Sequence, residues 1–248
     1  MRSLRVIETG LDAARWNTAL SAGLLMAHAG SDADVLRFYR FEPSVLLGAS
    51  QDAAQAADLA YCRDHRIEIA RRVTGGGAVY MGPGMLAWDF VTRLSAAPDA
   101  LSAKIGGALV RALAKLGIAA SFAPPNSLMI EGRKVSGAAT TSTATSFLHQ
   151  GTLILEDAAT EMAHALGAPL DTMRSAVTSL ADVGVRIAPD ILQKDIAHAL
   201  AAAFGLDPVV ASLTDMERAS ARREFDREIG SDANAFGHDL LLNAGARA

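Results

Sequence analysis

Three consecutive glycines, Gly75–Gly77, lie between two stretches that each read as a β-strand. IEIARR (Ile67–Arg72) precedes them, and AVYMGPG then leads into MLAWDFVTRL (Met85–Leu94). Glycine lets another molecule approach the main chain closely, so strand, bare loop and strand in direct succession limit the architecture. A dinucleotide-binding fold would open a helix on G-x-G-x-x-G, and a phosphate loop would end in G-K-S/T. Neither pattern is met here.

The rest of the chain supports the same limit. Residues 3–8 read as a strand, and Leu20, Leu24 and Ala27 recur at helical spacing between Asp12 and His28. VLRFYRF (Val35–Phe41) alternates as a strand does, and SVLLGAS (Ser44–Ser50) reads as a second, buried one. An alanine-rich helix is expected over Ala53–His65, and another from Asp99 to Leu116, stopped by Gly117. SLMI, EGR and KVSGAATT (Ser127–Thr141) read as strand, turn, strand, and SFLHQGTLIL (Ser146–Leu155) as a further strand. Helices are expected near 157–166, 190–204 and 214–230. Mixed strands with helices between them predict an α+β fold with a largely antiparallel sheet and flanking helices.

A chain of 248 residues, half of them hydrophobic, can bury one sizeable core. The expected organisation is one domain over residues 1–207 and a short helical extension over 208–248. A net charge of −4 gives no global basic field, so no sequence-independent grip on nucleic acid is expected. The single cysteine, Cys62, excludes an intrachain disulfide framework and a multi-cysteine zinc site. SAGLLMAHAG (Ser21–Gly30) is too short to span a bilayer, and MRSLRVIETG lacks the apolar run of a signal peptide. No membrane association and a cytoplasmic location are the expectations.

Three stretches are candidates for chemistry. The Arg71–Arg72 pair and the glycines fit an anion cradle built from main-chain N–H groups, or a tight strand connection with two solvated arginines. Strand alternation would turn only one of the two arginines toward a ligand. Lys134 opens a strand after a turn, beside the small residues Ser136 and Gly137. It is either a point charge for a phosphate and a carbonyl or a surface lysine. His149 and Gln150 interrupt an apolar strand, where a histidine is either structural or a base.

Taken together and in this order, RRVTGGGAVY, NSLMIEGRKVSGAA and FLHQGTLIL resemble the lipoate–protein ligase A family of the biotin/lipoate ligase superfamily. SVLLGASQDA before them and SAVTSLADVGV after them extend the resemblance over about residues 35–185. The resemblance implies the α+β ligase fold related to class II synthetases. It implies that lipoate and ATP, with Mg²⁺ as counter-ion, give lipoyl-adenylate and pyrophosphate. The acyl group would then pass to one lysine of a lipoyl domain or an H-protein-like carrier. On the same basis Arg71, Arg72, Gly75, Gly76 and Gly77 would hold the acyl-adenylate, and Lys134 would contact its carbonyl and phosphate. Asn126, Ser136, Gly137 and His149 would contribute more loosely. Val79, Leu86 and Trp88 are candidates to line a tunnel for the lipoyl chain.

The chain departs from the family pattern at four places. Met81–Gly82 stand where relatives carry histidine and an acid, Ser127 where they carry an acid, and Gln150 where many have a second histidine. About forty residues follow Asp207, too few for the larger accessory domain of some ligases, so a separate accessory subunit is a further expectation. Two other readings stay open. One is an octanoyltransferase, for which Cys62 would be the acyl acceptor. The other is a lipoate-binding homologue without catalysis.

Overall fold

The computed structural model describes residues 2–237. The chain runs β1 (Arg2–Asp12), α1 (Ala14–Ala27), β2 (Asp34–Phe41), β3 (Ser44–Leu47), α2 (Ala53–Ala56), α3 (Leu59–Asp64), β4 (Glu68–Arg71), β5 (Val79–Met81) and β6 (Met85–Arg93). It continues with α4 (Pro98–Lys115), β7 (Ser121–Ala123), β8 (Ser127–Ile130), β9 (Arg133–Ser142), β10 (Ser146–Ile154), α5 (Ala159–Ala165), α6 (Leu170–Ala176) and α7 (Pro189–Phe204). Last come β11 (Leu206–Val210), α8 (Asp215–Glu224), a π-helical turn (Phe225–Ile229) and α9 (Asp232–Phe236).

Eight strands form one sheet in the order β11-β1-β2-β6-β10-β9-β8-β7. β1 runs parallel to both β11 and β2, and the remaining pairs are antiparallel. A second sheet, β4-β3-β5, pairs β3 parallel to β4 and antiparallel to β5. The expected mixed, largely antiparallel α+β fold is what the chain adopts.

Both faces of the large sheet are covered, which is why β6 is apolar almost throughout. Its Leu86, Trp88 and Phe90 join Leu101, Ile105 and Leu109 of α4 and Leu192, Ile196 and Leu200 of α7 in one core. Met85 and Ala87 alternate to the other face, where they pack with the small sheet. Gly205 ends α7 in the left-handed region at φ 67°, a conformation that costs glycine little.

The β8–β9 hairpin turns on Glu131 and Gly132, both at positive φ, as a two-residue connection between twisted strands requires. The helix expected over Ala53–His65 is two helices. The side chains of Asp52 and Asp58 accept from Gln55 N and Tyr61 N, and each caps a new start. The expected border at residues 207/208 falls inside β11, a strand of the large sheet. Helix α8 lies against α1. A Cβ at Gly23 would stand 2.5 Å from the main-chain nitrogen of Ala221. Arg5 reaches across to Glu217 with bonds of 2.6 and 3.1 Å. The extension expected over 208–248 is therefore packed onto the domain as far as residue 237, and its remainder lies outside the described residues.

Candidate active site

A cavity of about 370 Å³ opens between the large sheet, the small sheet and α5–α6. Its size and mixed lining suit a small ligand with one apolar and one polar end. One part of the wall is apolar and rich in methionine: Met81 on β5, Met85 on β6, Met162 on α5 and Met173 on α6, with Phe41, Leu46, Ile154, Leu166 and Val177. The polar part carries Arg72, Gly75–Gly77, Asn126, Lys134, Ser136, Gly137, Gln150 and Thr152. Among the described residues no carboxylate lines the cavity, and its two cations are Arg72 and Lys134.

Lys134 is half-buried on β9, and burial lowers its pKa below the usual lysine value. Its side chain lies across Gly137, where a Cβ would come within 2.8 Å of its Cε and 2.9 Å of its Nζ. The segment after α6, paired with Lys134 through an isolated bridge at Val177, fixes the backbone beneath it. Thr178 N donates to Lys134 O at 2.9 Å, and Leu180 N to Ile154 O at 3.0 Å. No acidic side chain pairs with Lys134 among the described residues. A desolvated ammonium without an internal counter-ion favours an anionic ligand.

Arg72 stands beneath the glycine loop. It donates to Leu46 O, Gly75 O and Gly77 O, each at 2.8 Å. Burial lowers its pKa to about 10, and its Nε has no partner. With its other donors on carbonyls, the guanidinium shapes the loop from below. Gly76 takes φ 96°, and its carbonyl lies 2.0 Å from where a Cβ at Gly48 would be, so two backbones meet there directly.

Two expected site residues lie outside the lining. Arg71 alternates to the far side of β4. It donates to Gly48 O and Gln51 O at 3.0 and 2.6 Å and to Asn234 O at 2.7 Å, which ties α9 to the turn after β3. His149 is 3 % exposed and sits on the opposite face of β10 from Gln150 and Thr152. Burial pushes its pKa down to about 4, and its Nδ1 has no partner. Of the tunnel candidates, Val79 lines the cavity. Leu86 and Trp88 do not, because they point into the core under α4 and α7. Cys62 is 1 % exposed against Ala165 O, with its thiol pushed up to about 11 by burial.

Sequence reasoning missed the buried network under the cavity floor. Arg37 and Asp89, both fully buried, pair at 2.7 Å. Asp89 also accepts from Ser21 Oγ at 2.8 Å, Tyr39 Oη at 3.0 Å and Gln150 Nε2 at 3.2 Å. Burial first, then the Asp89 charge, raises the Tyr39 pKa. The signal was present: VLRFYRF and MLAWDFVTR each carry a charge in the middle of an apolar strand, and a buried charge needs a partner.

Comparison with known proteins identifies the family and matches the fold. The model of the lipoyl protein ligase A/B catalytic domain matches residues 13–205. Lipoate-protein ligase LplJ of Bacillus subtilis is 30% identical over 148 residues, 60% of this chain but 45% of that protein. The chain thus matches less than half the length of that relative. Lipoate-protein ligase A subunit 1 of Thermoplasma acidophilum is 27% identical over 241 residues, 88% of this chain and 90% of that one. The fold superimposes on a solved chain of the Thermoplasma acidophilum bi-partite lipoate protein ligase system with a TM-score of 0.91 at 24% identity, covering 96% of this chain and 97% of that chain. A domain match over most of the chain and this fold give one conclusion: the chain belongs to the lipoyl protein ligase A/B catalytic domain family.

Proposed function

We propose that this chain is an ATP-dependent lipoate–protein ligase, acting on the lysine of a lipoyl domain or H-protein-like carrier. The observation that carries the reading is Lys134. A half-buried ammonium without an acidic partner among the described residues stands at the polar end of a methionine-walled cavity.

A carboxylate does not acylate an amine unaided, because its oxygen is a poor leaving group. In the proposed first step a lipoate carboxylate oxygen bonds to the α-phosphorus of ATP, and pyrophosphate leaves with the electron pair of the broken P–O bond. In the second, the carrier lysine, as free amine, bonds to the acyl carbon, the acyl C–O bond breaks, AMP leaves with its electron pair, and the surplus proton of the amine passes to the departing phosphate or to solvent. Both steps build negative charge beside the acyl group, and a fixed cation in a water-poor site stabilises it. Lys134 supplies that cation, and the exposed Gly75–Gly77 backbone supplies a surface for phosphate. The apolar wall suits the lipoyl chain. Mg²⁺ would neutralise the triphosphate. Among the described residues no carboxylate lines the cavity to hold it, and the neutral side-chain oxygens of the polar part are those of Asn126, Ser136, Gln150 and Thr152.

The Thermoplasma system is bi-partite and is described together with its E2 lipoyl domain. By analogy a separate accessory subunit joins this chain, and a lipoyl domain is its acceptor. No described helix is long and apolar enough to cross a membrane; a cytoplasmic location fits the lone reduced cysteine. Acyl transfer through Cys62 has little support, since the thiol is outside the cavity lining and burial disfavours its thiolate.

The test combines pyrophosphate release with gel-shift modification of a lipoyl domain, with and without the accessory subunit. Lys134→Ala should retain lipoate binding and lose about 10²–10³-fold in turnover, the scale of one lost charge-stabilising group. Unchanged pyrophosphate release in that variant removes Lys134 from the mechanism. Tight lipoate binding with no adenylate, even with the subunit present, favours the binder.

A further inference from the structure

We propose that Gln150 is a positioning residue, a latch that fastens the glycine loop to the cavity floor, and that Asp89 sets the direction of its amide. Thr74, fully buried at the start of the loop, donates its hydroxyl to Gln150 Oε1 at 2.8 Å. Gln150 Nε2 donates to Asp89 Oδ1 at 3.2 Å. Asp89 is itself fixed by Arg37, whose Nε lies 2.9 Å from Oδ2. A carboxylate paired with a guanidinium only accepts, so it selects the nitrogen end of the amide. The oxygen end is left for Thr74, which has a proton to give. The main chain of Thr74 is held as well, because Ala49 N donates to its carbonyl at 3.0 Å. The next three residues are the exposed glycines. With no side chains of their own to pack, they take their position from Thr74 on one side and Arg72 below.

The latch has a chemical signature that packing alone lacks. In Gln150→Glu a neutral carboxyl can still donate to Asp89 and accept from Thr74. An ionised one stands beside Asp89 as a like charge, and two adjacent carboxylates do not both ionise readily. The introduced acid therefore keeps its proton to a raised pKa. Among the described residues, Arg37 and Tyr39 from β2, Arg72 from the loop side, Tyr80 from β5 and Lys134 from β9 are the other titratable groups around this floor and this cavity. The cations among them moderate that rise. The latch holds below the pKa and opens as pH rises through it.

Hydrogen exchange on the free protein reads the latch without reference to catalysis. Gln150→Ala and Thr74→Val should each lower the protection of the two amides that tie the start of the loop to β3 and the turn after it, Arg72 N on Leu47 O and Ala49 N on Thr74 O, by about five- to tenfold, the worth of one internal hydrogen bond. The double variant should lose no more than either alone. Gln150→Glu should match the wild-type protection factors in acid and fall to the alanine variant's as pH rises, while the wild-type loop stays flat. Loop protection equal to wild type in all variants at every pH overturns the proposal. So does a Gln150→Glu loss that is independent of pH. The consequence for turnover rests on the ligase reading, so adenylate formation is measured in parallel. A loop that loosens in a chain that makes no adenylate leaves the latch standing and the ligase fallen.

Discussion

Burial holds the His149 imidazole at a pKa of about 4, well below the ordinary 6.5. An imidazole kept neutral by folding makes the folded state resist protonation. Its contribution is whole above pH 6.5 and is lost as pH falls from there toward 4. The urea midpoint should therefore drop across that window, and His149→Phe should drop less steeply. Arg37 is a second residue with a large expected effect. Arg37→Met strands Asp89 as a buried charge, and equilibrium urea unfolding should show a loss of about 3–5 kcal/mol. Neither role was readable from the sequence in full. A histidine in FLHQGTLIL looks the same whether it faces the cavity or the core, and only strand pairing settles which. Lys134, Ser136 and Gly137 were readable as a group because a hairpin brings its own neighbours together.

At the level of elements, local signals and long-range pairing differ in how well a sequence carries them. Pro98 and Asp99 at the start of α4, and Gly205 after α7, mark helix ends by local chemistry. β5 has three residues inside a glycine-rich stretch and exists because it pairs with β3, more than thirty positions away. No periodicity announces such a strand. The long helix read over 53–65 failed for the reverse reason: Asp58 looked like one more helical residue, yet its carboxylate starts a new helix. Helix α8 gives a prediction of its own. Burial raises the Glu217 pKa, but bonds from Arg5 and Thr214 outweigh it and the net pKa lies below the ordinary 4.5. Stability from this group is present above pH 4.5 and is lost as pH falls through the lower folded value. Glu217→Gln should be less stable than wild type at neutral pH, and the gap between their thermal midpoints should narrow in acid.

For the whole molecule, the family match ends at residue 205, whereas the folded unit does not. β11 completes the large sheet beside β1, and α8 covers the Gly23 face of α1. A chain ended at Gly205 exposes one edge of β1 and an apolar stripe of α1 together. It should lose cooperative thermal unfolding by circular dichroism. A sharp transition near the full-length midpoint would instead make the last segment a separable appendage.

The four methionines of the cavity wall set a limit on what that wall can discriminate. Unbranched thioethers rearrange around whatever they enclose, where a wall of isoleucine and valine would impose one outline. Under the proposed function, a ring-ended chain and a straight one of similar bulk would be accommodated at nearly equal cost. Fidelity would then be a property of the rigid end, where charge and main chain are fixed, and the soft end would serve as a measure of volume.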